Sequence, residues 1–226
     1  MTRDHRLRAD SALPPGVAEG RATMPGLLRH RARHTPDRVA LREKVRGIWQ
    51  GTTWAAYFEQ VRAFALFLQD AGFGQGDKLV IASDGTPEWF IADLAAQSLG
   101  GVTVGIYPTN PWPELQYIVR HCAAKVAVCG DQEQTDKVLD AMASEAGLPH
   151  LQHLFCVDMK GLRRYEPGRP HGFAHLMELG DQLAAEDAAA QERLDASIDS
   201  LVPDDVNILV YTSGTTGPPK GAMLTH

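Results

Sequence analysis

Apolar residues recur at helical spacing through Phe58, Val61, Phe64, Ala65 and Leu68, which predicts a helix over 54–71, capped by Thr53 and ended by Gly72. The pattern then changes. Residues 78–83 form a short apolar run of buried-strand character, and Thr86-Pro87-Glu88 follows as N-cap, first-turn proline and first-turn acid of a helix reaching residue 99. Strand character returns at 102–107. The alternation continues with a helix near 113–122, a strand at 125–129, a helix near 132–146 and a strand at 153–157. Such repeats predict parallel pairing with right-handed crossovers. After a loop rich in Arg, Gly and Pro at 159–172 comes a helical region to residue 201. Its acids, Asp181, Glu186, Asp187, Glu192, Asp195 and Asp199, form a solvated face. The expected fold class is α/β, one domain with a mostly parallel sheet and flanking helices.

Composition adds a boundary. Of the 226 residues, 44% are hydrophobic and 22% charged, ordinary globular values, and the net charge is −6. Residues 1–35 nevertheless hold seven Arg against three acids, so the rest of the chain carries −10. Residues 1–23 have no hydrophobic block and are expected to be a disordered basic arm, separate from residues 24–226. Asp4, Asp10 and Pro14-Pro15 argue against an amphipathic targeting helix there.

Several function classes fall away. The longest uncharged stretch, 94–113, contains Gly100-Gly101 and three prolines, so it is not a membrane span. Cys122, Cys129 and Cys156 lack metal-ligand spacing and read as reduced buried thiols, which suits a cytoplasmic location. His30, His34, His150, His153, His171 and His175 lie in polar or loop contexts and read as surface residues, so no protein metal site is expected. Trp89 and Trp112 have no basic groove beside them, which leaves nucleic-acid binding unsupported.

The chemistry concentrates in Tyr211-Thr-Ser-Gly-Thr-Thr-Gly-Pro-Pro-Lys-Gly221, directly after the apolar run 206–210. Hydroxyls of Thr212, Ser213, Thr215 and Thr216 can donate to phosphate oxygens, Gly214 and Gly217 let backbone amides approach an anion, and Lys220 supplies positive charge. A nucleoside-triphosphatase P-loop needs Gly before the lysine and Ser or Thr after it. Here Pro219 and Gly221 stand in those places, so that reading fails.

At these residues the chain resembles the adenylate-forming superfamily, whose signature loop is Thr-Ser-Gly-Thr-Thr-Gly-x-Pro-Lys-Gly. The continuation 222–226 is also similar, and Gly105-Ile-Tyr-Pro-Thr-Asn110 with Thr86-Pro-Glu-Trp89 most resembles long-chain fatty acyl-CoA synthetases. The resemblance implies an incomplete N-terminal AMP-binding domain over 24–226, ending just after the phosphate loop. It implies ATP-dependent activation of a long-chain fatty acid to an acyl adenylate and then acyl-CoA, with ATP, Mg2+, CoA and fatty acid as cofactor and partners. Lys220 would be the catalytic charge, Thr212, Ser213, Gly214, Thr215, Thr216 and Gly217 would hold the ATP phosphates, and His226 would border the acyl pocket. Lys160, Arg163, Arg164 and Arg169 form a basic loop suited to CoA phosphates or to peripheral contact with an anionic membrane. The family's adenosine contacts, magnesium-binding glutamate and mobile C-terminal domain belong beyond residue 226. The 226 residues alone are therefore expected to be inactive, and the alternative is a truncated, non-catalytic nucleotide-binding or interaction module.

Overall fold

Alternate residues of the central strands face opposite ways, and each set finds its own layer of helices. The computed structural model describes residues 16–17, 20–166, 170–212 and 218–226. Strands β3 (Lys78–Ala82), β4 (Val102–Ile106), β5 (Val126–Cys129) and β6 (His153–Cys156) alternate with helices α3 (Pro87–Ser98), α4 (Trp112–His121) and α5 (Gln132–Ala143). Leu79, Ile81, Val126, Val128 and Phe155 enter one core with α2 (Trp54–Asp70) and α3. Val80, Ala82, Val104, Ala127 and Leu154 enter the other with α4 and α5. The period of two thus reads out as two apolar layers on one sheet.

Among the described residues the sheet has seven strands in the order β7-β6-β5-β3-β4-β8-β9, where β7 is His171–Gly172, β8 is Val206–Thr212 and β9 is Lys220–Thr225. Every pairing is parallel except β8 with β9, an antiparallel hairpin at the edge. α3 is buried along the whole of Ile91–Ser98, because the sheet lies on one side and α1 (Met24–His34) and α2 lie on the other. Its buried polar residues are satisfied locally: Gln97 donates to Asp93 at 2.7 Å and Ser98 to the Leu94 carbonyl at 2.7 Å.

The elements expected from the 3.6 and 2.0 periods all form, within a few residues at their ends. The helical region before residue 201 is two helices, α6 (Phe173–Glu186) and α7 (Ala188–Ser200), broken at Asp187, which adopts an extended conformation. The loop before it holds a 3-10 turn at Leu162–Arg164 and the two-residue β7. α6 packs on α2 so closely that a Cβ at Gly180 would stand 1.9 Å from the Ala63 carbonyl oxygen. A separate antiparallel pair, β1 (Val39–Val45) and β2 (Ile48–Thr53), turns through Arg46 (φ 48°) and Gly47 (φ 85°). Two successive positive φ angles are those of a two-residue hairpin turn.

Of the segment 1–23, residues 1–15 and 18–19 lie outside the described residues. The rest includes a turn in which the Arg21 amide donates to the Gly16 carbonyl at 2.7 Å.

Candidate active site

Because β3, β4, β5, β6 and β8 run parallel, their carboxyl ends reach one edge of the sheet together, the edge at which open α/β sheets bind ligands. β4 ends there in the turn Tyr107-Pro108-Thr109-Asn110, closed by the Asn110 amide on the Tyr107 carbonyl at 2.9 Å. β8 ends beside it. β9 leaves from the same edge, and its register sets Lys220 opposite Thr212 and Gly221 opposite Tyr211. Two of the residues expected to meet phosphate, Thr212 and Lys220, therefore face each other across the neck of the intervening segment, both exposed. Ser213, Gly214, Thr215, Thr216 and Gly217 lie outside the described residues.

The neck is held from below. Tyr211 is buried, its hydroxyl lies 2.7 Å from His121 Nδ1, and burial pushes its pKa up to about 12, so the phenol stays protonated and can donate. A Cβ at Gly221 would stand 3.2 Å from the Tyr211 ring; glycine lets β9 lie close over that ring. On the other side of the neck, the Tyr117 hydroxyl donates to the Pro219 carbonyl at 3.1 Å. Neither His121 nor Tyr117 stood out in the sequence. Their i, i+4 spacing in α4, which puts both side chains on one helix face, was the available signal.

A cavity of about 340 Å³ opens between the ends of β4 and β8, lined by Ser83, Trp89, Gly105, Tyr107, Val210 and Tyr211 among others. A larger one of about 660 Å³ lies between α1, α2 and α3, with Met24, Leu28, Trp54, Tyr57 and Phe90 on its walls. Trp89 and Ile208 line both. The larger cavity is mostly apolar but is also lined by Arg31 and Asp93; burial raises the Asp93 carboxyl to about 6 even though hydrogen bonding from Thr103 and Gln97 works against the shift.

His226 is placed away from the loop. Since β9 runs antiparallel to β8, Thr225 pairs with Val206, and His226 follows at the opposite end of the hairpin from Lys220. Its Nδ1 accepts from the Met24 amide at 3.2 Å and lies 3.2 Å from Asn207 Nδ2, while burial lowers its pKa despite Asp205. The ring is thus neutral, fixed between β8 and α1, and its partner Met24 belongs to the wall of the larger cavity.

The remaining candidates separate cleanly. Arg163 and Arg164 are exposed in the 3-10 turn after β6, on the loop edge of the sheet, four strands from β8 or about 19 Å by strand spacing; Arg169 lies outside the described residues. Cys122, Cys129 and Cys156 are buried free thiols whose pKa values burial raises, which makes them poor nucleophiles. Among the described residues no three His, Cys, Asp or Glu side chains gather as a metal-ligand set, and no helix is long and apolar enough to cross a membrane.

An edge loop of this composition on a parallel α/β sheet defines a class, and comparison with known proteins agrees. The AMP-binding enzyme family matches residues 28–226, and the chain belongs to that family. It is 33% identical over 190 residues to the long-chain-fatty-acid–CoA ligase ACSBG2 of Xenopus laevis, covering 84% of this chain and 24% of that protein. It is 34% identical over 195 residues to the long-chain-fatty-acid–CoA ligase FadD15 of Mycobacterium bovis, covering 86% and 30%. The chain thus spans about a quarter of the length of such relatives. Among solved structures, the N-terminal domain of FACL13 from Mycobacterium tuberculosis shares the fold with a TM-score of 0.64 at 23% identity over 89% of this chain and 44% of that one. The anthranilate CoA ligase AuaEII in complex with anthranoyl-AMP does so with a TM-score of 0.67 at 20% identity over 94% and 34%.

Proposed function

We propose that the full-length protein activates a long-chain fatty acid with ATP and passes the acyl group to CoA, with residues 24–226 as part of its AMP-binding domain and residues 1–23 as a basic arm. One observation carries the reading: the hairpin register sets Lys220 across from Thr212 at the carboxyl edge of the sheet, in a chain whose relatives include long-chain-fatty-acid–CoA ligases. In the first step the fatty carboxylate attacks the α-phosphorus of ATP, forming an acyl adenylate as the bond to pyrophosphate breaks. In the second, the CoA thiol attacks the acyl carbonyl and AMP departs.

Negative charge grows on the leaving pyrophosphate in the first step. Lys220, the hydroxyls of Thr212, Ser213, Thr215 and Thr216, and the amides near Gly214 and Gly217 are suited to stabilise it. At roughly 4 Å and an effective dielectric near 20, one lysine is worth on the order of 4 kcal/mol to a facing oxygen before desolvation is subtracted. Mg2+ would share this charge, but no three-ligand cluster exists for it among the described residues; the reading rests on Lys220.

The apolar walls shared by the two cavities suit an acyl chain entering from the loop edge, and His226 would border that chain through its contact with Met24. Lys160, Arg163 and Arg164 would serve CoA phosphates or an anionic membrane surface. The test is fatty-acid-dependent exchange of labelled pyrophosphate into ATP by the full-length protein. Exchange with long-chain acids is expected; exchange confined to acetate, amino acids or aromatic acids would remove the substrate assignment. ATP binding without exchange under any acid would leave a nucleotide-binding module.

A further inference from the structure

We infer that Tyr117 and His121, one turn apart in α4, are positioning residues that hold both ends of the loop and thereby place Lys220; this rests on the reading of residues 211–221 as the phosphate-holding loop. The two contacts fall on opposite sides of the neck. On the entry side, the Tyr211 hydroxyl and His121 Nδ1 are 2.7 Å apart, with the rings edge to face at 5.7 Å. On the exit side, the Tyr117 hydroxyl donates to the Pro219 carbonyl at 3.1 Å. Tyr117 and His121 stack on each other at 5.4 Å, so the two holds form one unit.

The geometry explains why these contacts would matter for Lys220 in particular. The Pro219 carbonyl and the Lys220 amide share one rigid peptide plane, so fixing that oxygen fixes the backbone from which the Lys220 side chain springs. Tyr211 immediately precedes Thr212, the residue facing Lys220. Electrostatic stabilisation of a leaving group depends on charge held in place before the reaction. Lys220 itself is exposed at the start of an edge strand, where its own packing supplies little restraint. His121 is exposed, whereas the half-buried Tyr117 ring also packs against the core beneath α4, so β3 serves as the reference that separates a hold on the neck from a general loss of packing.

The experiment is amide hydrogen exchange of the full-length protein, read at Thr212 and Lys220–Gly221 and, as a reference, at Leu79–Ala82 in β3. Tyr211→Phe, His121→Phe and Tyr117→Phe each remove one hydrogen bond. Each should speed exchange at the neck about five- to tenfold and leave β3 unchanged. Tyr211→Phe combined with His121→Phe should do no more than either alone, because both delete the same bond. His121→Gln, which retains an acceptor for the Tyr211 hydroxyl, should restore much of the protection. Pyrophosphate exchange should slow by a similar factor, whereas acyl transfer to CoA from preformed acyl adenylate should not. Parental exchange at the neck in all three variants, or equal loosening of β3, overturns the inference. Faster neck exchange in a protein that shows no pyrophosphate exchange even as the parent would support the clamp and sink the phosphate reading instead.

Discussion

The strands β3 to β6 and the hairpin β8–β9 belong to one sheet, yet they are built to opposite specifications. β3 and β5 are almost wholly buried, with every residue of β5 inside, whereas β9 has Met223 at 71% and Leu224 at 49% exposure. Stability is thus concentrated where no chemistry is expected. The candidate chemistry sits at the start of a strand that, among the described residues, pairs on one side only; α4 contacts the Lys220 end of the hairpin and a thin polar joint its far end. That joint runs from Asp93 through Gln97 to Asn207 and His226, and it includes an Asn207 Oδ1 with no hydrogen-bond partner among the described residues.

The contrast is open to attack from both ends. The largest effect on stability should come from Phe155→Ala, since Phe155 is fully buried and meets Phe64 and Phe67 edge to face. A loss of about 3–5 kcal/mol is expected from chemical denaturation. Lys220→Ala should do the reverse: leave the denaturation midpoint in place and slow adenylation roughly a hundred- to a thousandfold. Starting from preformed acyl adenylate, where no pyrophosphate leaves, the same variant should transfer the acyl group at a rate closer to the parent. An equal loss in both half reactions would assign Lys220 to the fold.

Asp93 tests the joint. Burial raises its pKa from 3.8 to about 6, so folding favours the protonated carboxyl between those values. Its stabilising contribution is full below about pH 4 and is lost as pH rises through 6. Asp93→Asn should therefore stabilise by on the order of 2–3 kcal/mol at pH 7.5 and change little at pH 4. Thermal melts across that range check it, and a pH-independent difference would refute the assignment. The smallest effect belongs to β9. Met223→Lys on the exposed edge should shift stability by less than about 0.5 kcal/mol while reducing aggregation seen in light scattering.

How much of this was legible in the sequence follows from the same contrast. Buried strands and amphipathic helices announce themselves by period, so β3 to β6 and α2 to α5 were readable from residues such as Phe64, Leu68 and Val80. α1 was missed because Met24, Leu27 and Leu28 are too few to set a period and its remaining turns are basic. The β1–β2 hairpin was missed because Arg46 takes a positive φ that an arginine does not advertise, and its faces are largely exposed. The loop was read from its composition. Its supports were not: the i, i+4 spacing pairs Tyr117 with His121 on one face of α4, but the contact of His121 with Tyr211 spans 90 residues, and that spacing does not say what the face meets.

The strand order also has a kinetic side. β3, β4 and β5 pair across short crossovers, but β8 docks on β4 a hundred residues upstream, with the chain first visiting the far edge of the sheet at β7. Loop closure over that distance is slow relative to the local units. The strand order predicts that the loop-bearing hairpin is the last part of the sheet to assemble, during refolding and during synthesis on the ribosome. Pulse-labelled hydrogen exchange during refolding should protect β3 and β5 before β8. A chain caught midway would then have an established core without its loop-bearing hairpin; if the proposed role of the loop holds, nucleotide binding would report completion of folding rather than its onset.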